Sequence, residues 1–143
     1  MSRYVTRERV HVDRIATAWA IRRFVDPDAT FTFVARERDP GRVDGTPFDM
    51  RGSALSHRDG KVTFEVLLAS HHLIDPALAG MGAIIHAADT GEEETPETAG
   101  VRAVFDGIRD GLGSDEERLA AGFTVCEALY AYCRGQISGG GAT

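Results

Sequence analysis

Two imidazoles and two carboxylates stand where they could hold a divalent transition metal. His86 and Asp89 fall in the run Ala83-Ile84-Ile85-His86-Ala87-Ala88-Asp89, and a spacing of three sets both on one side of a helix. His57 in Leu55-Ser56-His57-Arg58, and Glu65, which closes Lys61-Val62-Thr63-Phe64, complete the set. Such ions take nitrogen and oxygen donors together, so His57, Glu65, His86 and Asp89 are expected to bind manganese, iron or zinc. Four protein ligands would fill a tetrahedral zinc. An octahedral manganese or iron would keep a position open for water or an oxyanion.

A second constellation is basic. Arg14, Arg22 and Arg23 accompany Trp19 on one helical stretch, with Arg7 just upstream. Guanidinium forks suit tetrahedral oxyanions such as chromate, sulfate or phosphate, and Arg14 falls in the first turn, where the helix dipole also favours an anion. Arg7 and Arg14 are the oxyanion-binding candidates. Arg22 and Arg23 are expected to pair with acids on a solvated face. Asp13 reads as a helix cap, a position that beside a pocket can also serve as ligand or general base. The alternatives for the metal set are structural: a core role for His86, a helix-end role for Asp89, an exposed strand position for His57, and a first-turn carboxylate at Glu65. His71 and His72 are adjacent and point about 100° apart on a helix, so they cannot easily share an ion. His11 is expected on an exposed strand face. Cys126 and Cys133 read as buried thiols, and the glycines lack phosphate-loop or dinucleotide spacing.

These groups must be positioned by an α+β domain: a small mixed β-sheet packed against several α-helices, with a helical C-terminal half. Arg3 to Val12 alternates as a strand, Asp13 opens a helix to Val25, and Phe31 to Val34 is a second strand. Arg36 to Thr46, with Pro40, Gly41 and Gly45, is a loop of the kind that borders a pocket. Phe48 to Met50, Ala54 to His57 and Lys61 to Phe64 read as short strands, the last two joined by the turn Arg58-Asp59-Gly60. Glu65 to Leu73 is a short helix. Asp75-Pro76 caps the next, to Asp89, and Thr95-Pro96 the one after, to Gly111. Ser114-Asp115-Glu116-Glu117 is a capping box, and the helix it opens is expected to stop at Gly135. The domain spans 3–135, with a disordered Gly-rich tail over 136–143.

A length of 143 residues, 43% hydrophobic and 27% charged, suits one globular domain. A net charge of −6 argues against a broad nucleic-acid surface and leaves room only for local basic pockets. No apolar run approaches the ~20 residues of a membrane span, and the N-terminus does not read as a secretory signal, so a cytoplasmic location is expected.

The run Asp13-Arg14-Ile15-Ala16-x-x-Trp19-x-Ile21-Arg22-Arg23-Phe24-x-Asp26-Pro27, with Thr46-Pro47-Phe48-Asp49, Leu55-Ser56-His57, Asp75-Pro76-Ala77-Leu78, Ala87-Ala88-Asp89-Thr90 and Ala128-Leu129-Tyr130-Ala131-Tyr132-Cys133-Arg134, resembles the C-terminal domain of the chromate resistance protein ChrB. The resemblance runs from about Arg3 to Arg134. It implies a bacterial, cytoplasmic domain that usually follows an N-terminal region to which regulation of the chromate response is attributed. The chain begins directly at this domain, so direct nucleic-acid binding is not expected of it. The expected function is metal binding, with metal-dependent activity on an oxyanion or other small molecule. The alternative is a non-catalytic oxyanion- or metal-sensing module for a transcriptional response, with a homodimer through the last helix around Tyr130 and Tyr132. A scaffold without a site is the third reading.

Overall fold

The computed structural model describes residues 2–139. Strand β1 (Arg3–Arg7) leads into helix α1 (Val12–Ala20), which ends in a π-helical turn (Ile21–Val25) before strand β2 (Thr30–Val34). The short strand β3 (Thr46–Pro47) follows, and then helices α2 (Thr63–Ser70), α3 (Pro76–Thr90), α4 (Thr98–Gly111) and α5 (Asp115–Gly139). The sheet has the order β2-β1-β3. Where a mixed sheet was expected, both pairings are parallel, because α1 carries the chain back across the sheet between β1 and β2 as a crossover helix.

Helix α1 is the centre of the molecule. Ile15, Ala16, Ala18, Trp19 and Ala20 are buried, and the small side chains let α5 approach closely. A Cβ at Gly122 of α5 would stand 2.3 Å from Ile15 Cγ2, so only glycine fits there. The core they share includes Phe48, Phe64, Met81, Ile85 and Phe105. In α5, Leu119, Cys126, Leu129, Tyr130 and Cys133 form the expected buried stripe. Tyr130 is buried and donates to Asp75 Oδ2 at 2.6 Å, whereas Tyr132 is exposed and donates to Glu97 Oε2 at 2.7 Å.

Several boundaries differ from the sequence expectation, each for an identifiable reason. The first strand stops at Arg7. Val10 and Val12 are buried beyond it, and the backbone N–H groups of Arg9 and Val10 donate to the Asp115 carboxylate rather than to a strand. Asp13 lies inside the first turn of α1, with His11 in the capping position, and His11 is part-buried against Asp106 at 2.8 Å instead of exposed on a strand. Ala54 to His57 and Lys61 to Phe64 make only isolated bridges, Phe48 with Leu55 and Arg58 with Lys61. Helix α2 instead begins at Thr63, because Asp13 accepts from the N–H groups of both Thr63 and Phe64. Helix α4 starts at Thr98, whose Oγ1 accepts the Thr95 N–H at 2.9 Å. Gly135 does not stop α5, which continues to Gly139; an isolated helical glycine costs only about 1 kcal/mol. The rest of the expected tail, 140–143, lies outside the described residues. The Asp75-Pro76 and Ser114–Glu117 caps form as read, with Asp75 Oδ1 accepting from Ala77 and Ser114 Oγ from Glu117.

Candidate metal and anion site

His57 is the meeting point of three aspartates from three parts of the chain. Its Nε2 lies 3.0 Å from Asp13 Oδ2 on α1, 3.7 Å from Asp49 Oδ1 on the loop after β3, and 3.5 Å from Asp89 Oδ2 in the last turn of α3. Asp13 is only 2% exposed and is held by more than the imidazole. Its Oδ2 also accepts the Thr63 N–H at 3.0 Å, and its Oδ1 accepts the Phe64 N–H at 2.9 Å. These are orphan donors of the α2 N-terminus, so one carboxylate caps a helix that starts 50 residues later. Asp49 sits at φ +50°, in the left-handed region that aspartate tolerates better than most residues. Its Oδ1 accepts from Thr63 Oγ1 at 2.9 Å, and Arg14 Nε lies 3.2 Å from Oδ2.

Crowding three carboxylates shifts the proton equilibria of Asp49, Asp89 and His57. Burial, then repulsion from Asp13, pushes Asp49 up to about 6 despite the opposing Arg14. Asp89 rises to about 6 through burial and the neighbouring charges of Asp13 and Asp49. The hydrogen bond to Asp13 lifts His57 to about 9, against the opposing effect of burial. Near neutrality His57 is therefore an imidazolium, a cation of the cluster beside Arg14. One ligand atom each from Asp13, Asp49 and His57 lie within 4.8 Å of one another, a separation that one metal ion can bridge.

The four residues expected as one ligand set divide into two groups. His57 and Asp89 join Asp13 and Asp49. Glu65 and His86 instead pair with each other, His86 Nδ1 lying 2.7 Å from Glu65 Oε1, with Glu93 at 4.0 Å from Nε2. The Glu65 hydrogen bond raises the His86 pKa. Glu65 Oε1 also accepts the Val62 N–H at 3.1 Å, the first-turn role expected of a glutamate there. The groups are neighbours, since His57 and His86 line one groove of about 330 Å³.

Both predicted oxyanion residues, Arg7 and Arg14, line a larger cleft of about 970 Å³ that also reaches Asp49. Arg14 donates from its guanidinium to the Asp49 carbonyl at 3.0 Å, so it bridges the aspartate cluster and the cleft. Arg7 Nε is buried with no hydrogen-bond partner among the described residues. Arg22 and Arg23 are engaged elsewhere: Arg22 donates to the Ala29 carbonyl over the Phe31 ring, and Arg23 meets Glu127 at 3.3 Å. His71 and His72 are exposed.

Sequence reading missed Asp49 as a site residue. It stood only within the matching segment Thr46-Pro47-Phe48-Asp49, and a lone aspartate after a proline and an aromatic carries no ligand spacing of its own. No helix among the described residues is long and apolar enough to cross a membrane.

Fold and site together define an α+β domain with a carboxylate–imidazole cluster, buried at Asp13 and exposed at His57, beside a basic cleft. A family model described as "ChrB, C-terminal domain" matches residues 4–133, and the chain belongs to that family, the chromate-resistance-associated family its motifs resemble. It is 40% identical over 130 residues to Protein ChrB of Cupriavidus metallidurans, an alignment covering 90% of this chain and 40% of that protein. The chain thus spans about two fifths of that relative's length. No solved structure matches.

Proposed function

We propose that this domain binds one divalent transition metal through Asp13, Asp49 and His57, with Asp89 beside them, and an oxyanion on the adjoining Arg14 and Arg7. The observation that carries the reading is His57 Nε2 set within 3.0–3.7 Å of three aspartate oxygens. A hard oxygen set with one imidazole suits manganese, iron or zinc, and a dication replacing the imidazolium proton would relieve the repulsion that raises Asp49 and Asp89. The donor set fits because Asp13 is locked by the α2 backbone and Asp49 by Thr63, so both are oriented before any ion arrives. Bound there, the metal would act as a Lewis acid toward an oxyanion. Arg14, shared between cluster and cleft, would orient that anion, and His86, held by Glu65, faces the groove on the other side of His57.

A non-catalytic sensing module is the second reading. It is favoured by the domain forming only 40% of its relative's length, as expected of a sensor joined to an output region. Metal content tests the shared core of both readings. Untagged protein should retain about one equivalent of manganese, iron or zinc, lost in His57→Ala and Asp49→Asn while circular dichroism is unchanged. Wild type that neither carries metal nor takes it up in titration would overturn the proposal. Turnover of an oxyanion by metal-loaded protein would then separate enzyme from sensor.

A further inference from the structure

The cleft beside the aspartate cluster is built for more than a single oxyanion. Besides Arg7 and Arg14 it is lined by Arg9, Arg36, Arg51 and Arg109. These arginines come from β1, the β1–α1 turn, α1, the segment after β2, the loop after β3, and α4, so no single charged face explains them. In a chain of net charge −6, such convergence concentrates the field on one concavity. Part of the charge is already compensated: Arg14 faces Asp49 at 3.2 Å, while Arg109 and Arg9 share Asp110 at 2.9 and 3.7 Å. Arg7, Arg36 and Arg51 form no ion pair among the described residues, and the buried Nε of Arg7 has no hydrogen-bond partner there. His11, on the same wall, is held against Asp106 at 2.8 Å.

Size and lining narrow the ligand. About 970 Å³ lies at the upper end of the ~300–1,000 Å³ typical of small-molecule sites. A single tetrahedral oxyanion, with five heavy atoms, fills only a small part of it. The lining contains no phenylalanine, tyrosine or tryptophan on which a nucleobase could stack, and its one imidazole, His11, is held against Asp106 at 2.8 Å. We infer that the cleft binds an extended, non-aromatic polyanion carrying two or more phosphate-type groups, one at Arg14 and Arg7 and the others at Arg36 and Arg51. This rests on the anion half of the proposed function and not on the metal.

Calorimetry with metal-stripped protein tests it, since tripolyphosphate would otherwise chelate the ion. Tripolyphosphate should bind at least about tenfold more tightly than sulfate or orthophosphate, and weaken steeply with added salt. Arg36→Gln/Arg51→Gln, both outside the aspartate cluster, should remove that advantage while leaving sulfate affinity within about twofold. Arg42→Gln, an exposed arginine outside the cleft, should change neither. Equal affinity for tripolyphosphate and sulfate, an equal loss in Arg42→Gln, or no binding of tripolyphosphate would overturn the inference. Tripolyphosphate binding in a protein that takes up no metal would sink the metal proposal alone, and sulfate binding without the tripolyphosphate advantage would sink this one alone.

Discussion

His57 Nε2 lies 3.0 Å from Asp13 Oδ2, joining residues 44 positions apart. The same oxygen accepts the Thr63 N–H, so this contact couples the candidate ligand cluster to the start of α2. A change at Asp13 should therefore be felt both as lost binding and as lost stability.

Asp13→Ala leaves the buried N–H groups of Thr63 and Phe64 without an acceptor. A lost cap costs about 0.5–2 kcal/mol and an orphaned buried donor about 1–3 kcal/mol. A total loss of about 2–4 kcal/mol in urea unfolding is expected. Asp13→Asn keeps one acceptor oxygen and should lose less. Equal stability of wild type and Asp13→Ala would show that the α2 terminus finds other partners.

Metal-free protein should lose stability as pH rises, in two stages. Asp49 and Asp89 are raised from 3.8 to about 6, and His57 from 6.5 to about 9. A group whose pKa is raised by folding contributes stability that is complete below its unfolded value and is lost through its folded one. The carboxyls therefore act between about pH 4 and 6, and His57 between about 6.5 and 9. Thermal unfolding in chelator should show Tm declining across both windows, with His57→Gln flattening the second.

Added metal should reverse that decline, because binding needs the deprotonated ligands and releases their protons. At a free concentration of 100 Kd, one bound ion adds about 2.7 kcal/mol. The gain in Tm on adding manganese or zinc should be larger at pH 8 than at pH 5.5. Asp49→Asn should abolish it.

His86→Ala separates the two groups of candidate ligands. Its imidazole bonds to Glu65 rather than to the aspartates. The variant should keep the metal equivalent of wild type and lose about 1.5–3 kcal/mol of stability with the charge-assisted hydrogen bond. Metal loss without unfolding would return His86 to the ligand set.

Local features were legible because their physics closes within a turn or two of chain. Asp75 with Pro76, and Ser114 with Glu117, satisfy helix donors two or three residues away, and the α5 stripe follows from helical periodicity alone. The basic candidates Arg7 and Arg14 were legible as residue types beside a helix start, and both line the cleft. Lys61 to Phe64 misled because its alternation suits a strand, while the acceptor that turns Thr63 and Phe64 into a helix start comes from Asp13.

Composition, capping signals and family motifs thus determined the α+β class, the starts of α3 and α5 and two of the clustered residues, His57 and Asp89, since each is a property of neighbours in sequence. Tertiary structure alone decided that Asp13 and Asp49 complete the cluster, that Glu65 and His86 pair apart from it, and that arginines from six segments converge on one cleft. The reason is geometric: the contacts of Arg14 with Asp49 and of Asp13 with His57 and Thr63 join residues 35 to 50 positions apart, leave no local spacing to read, and exist only once α1 has packed against the loop after β3 and the start of α2.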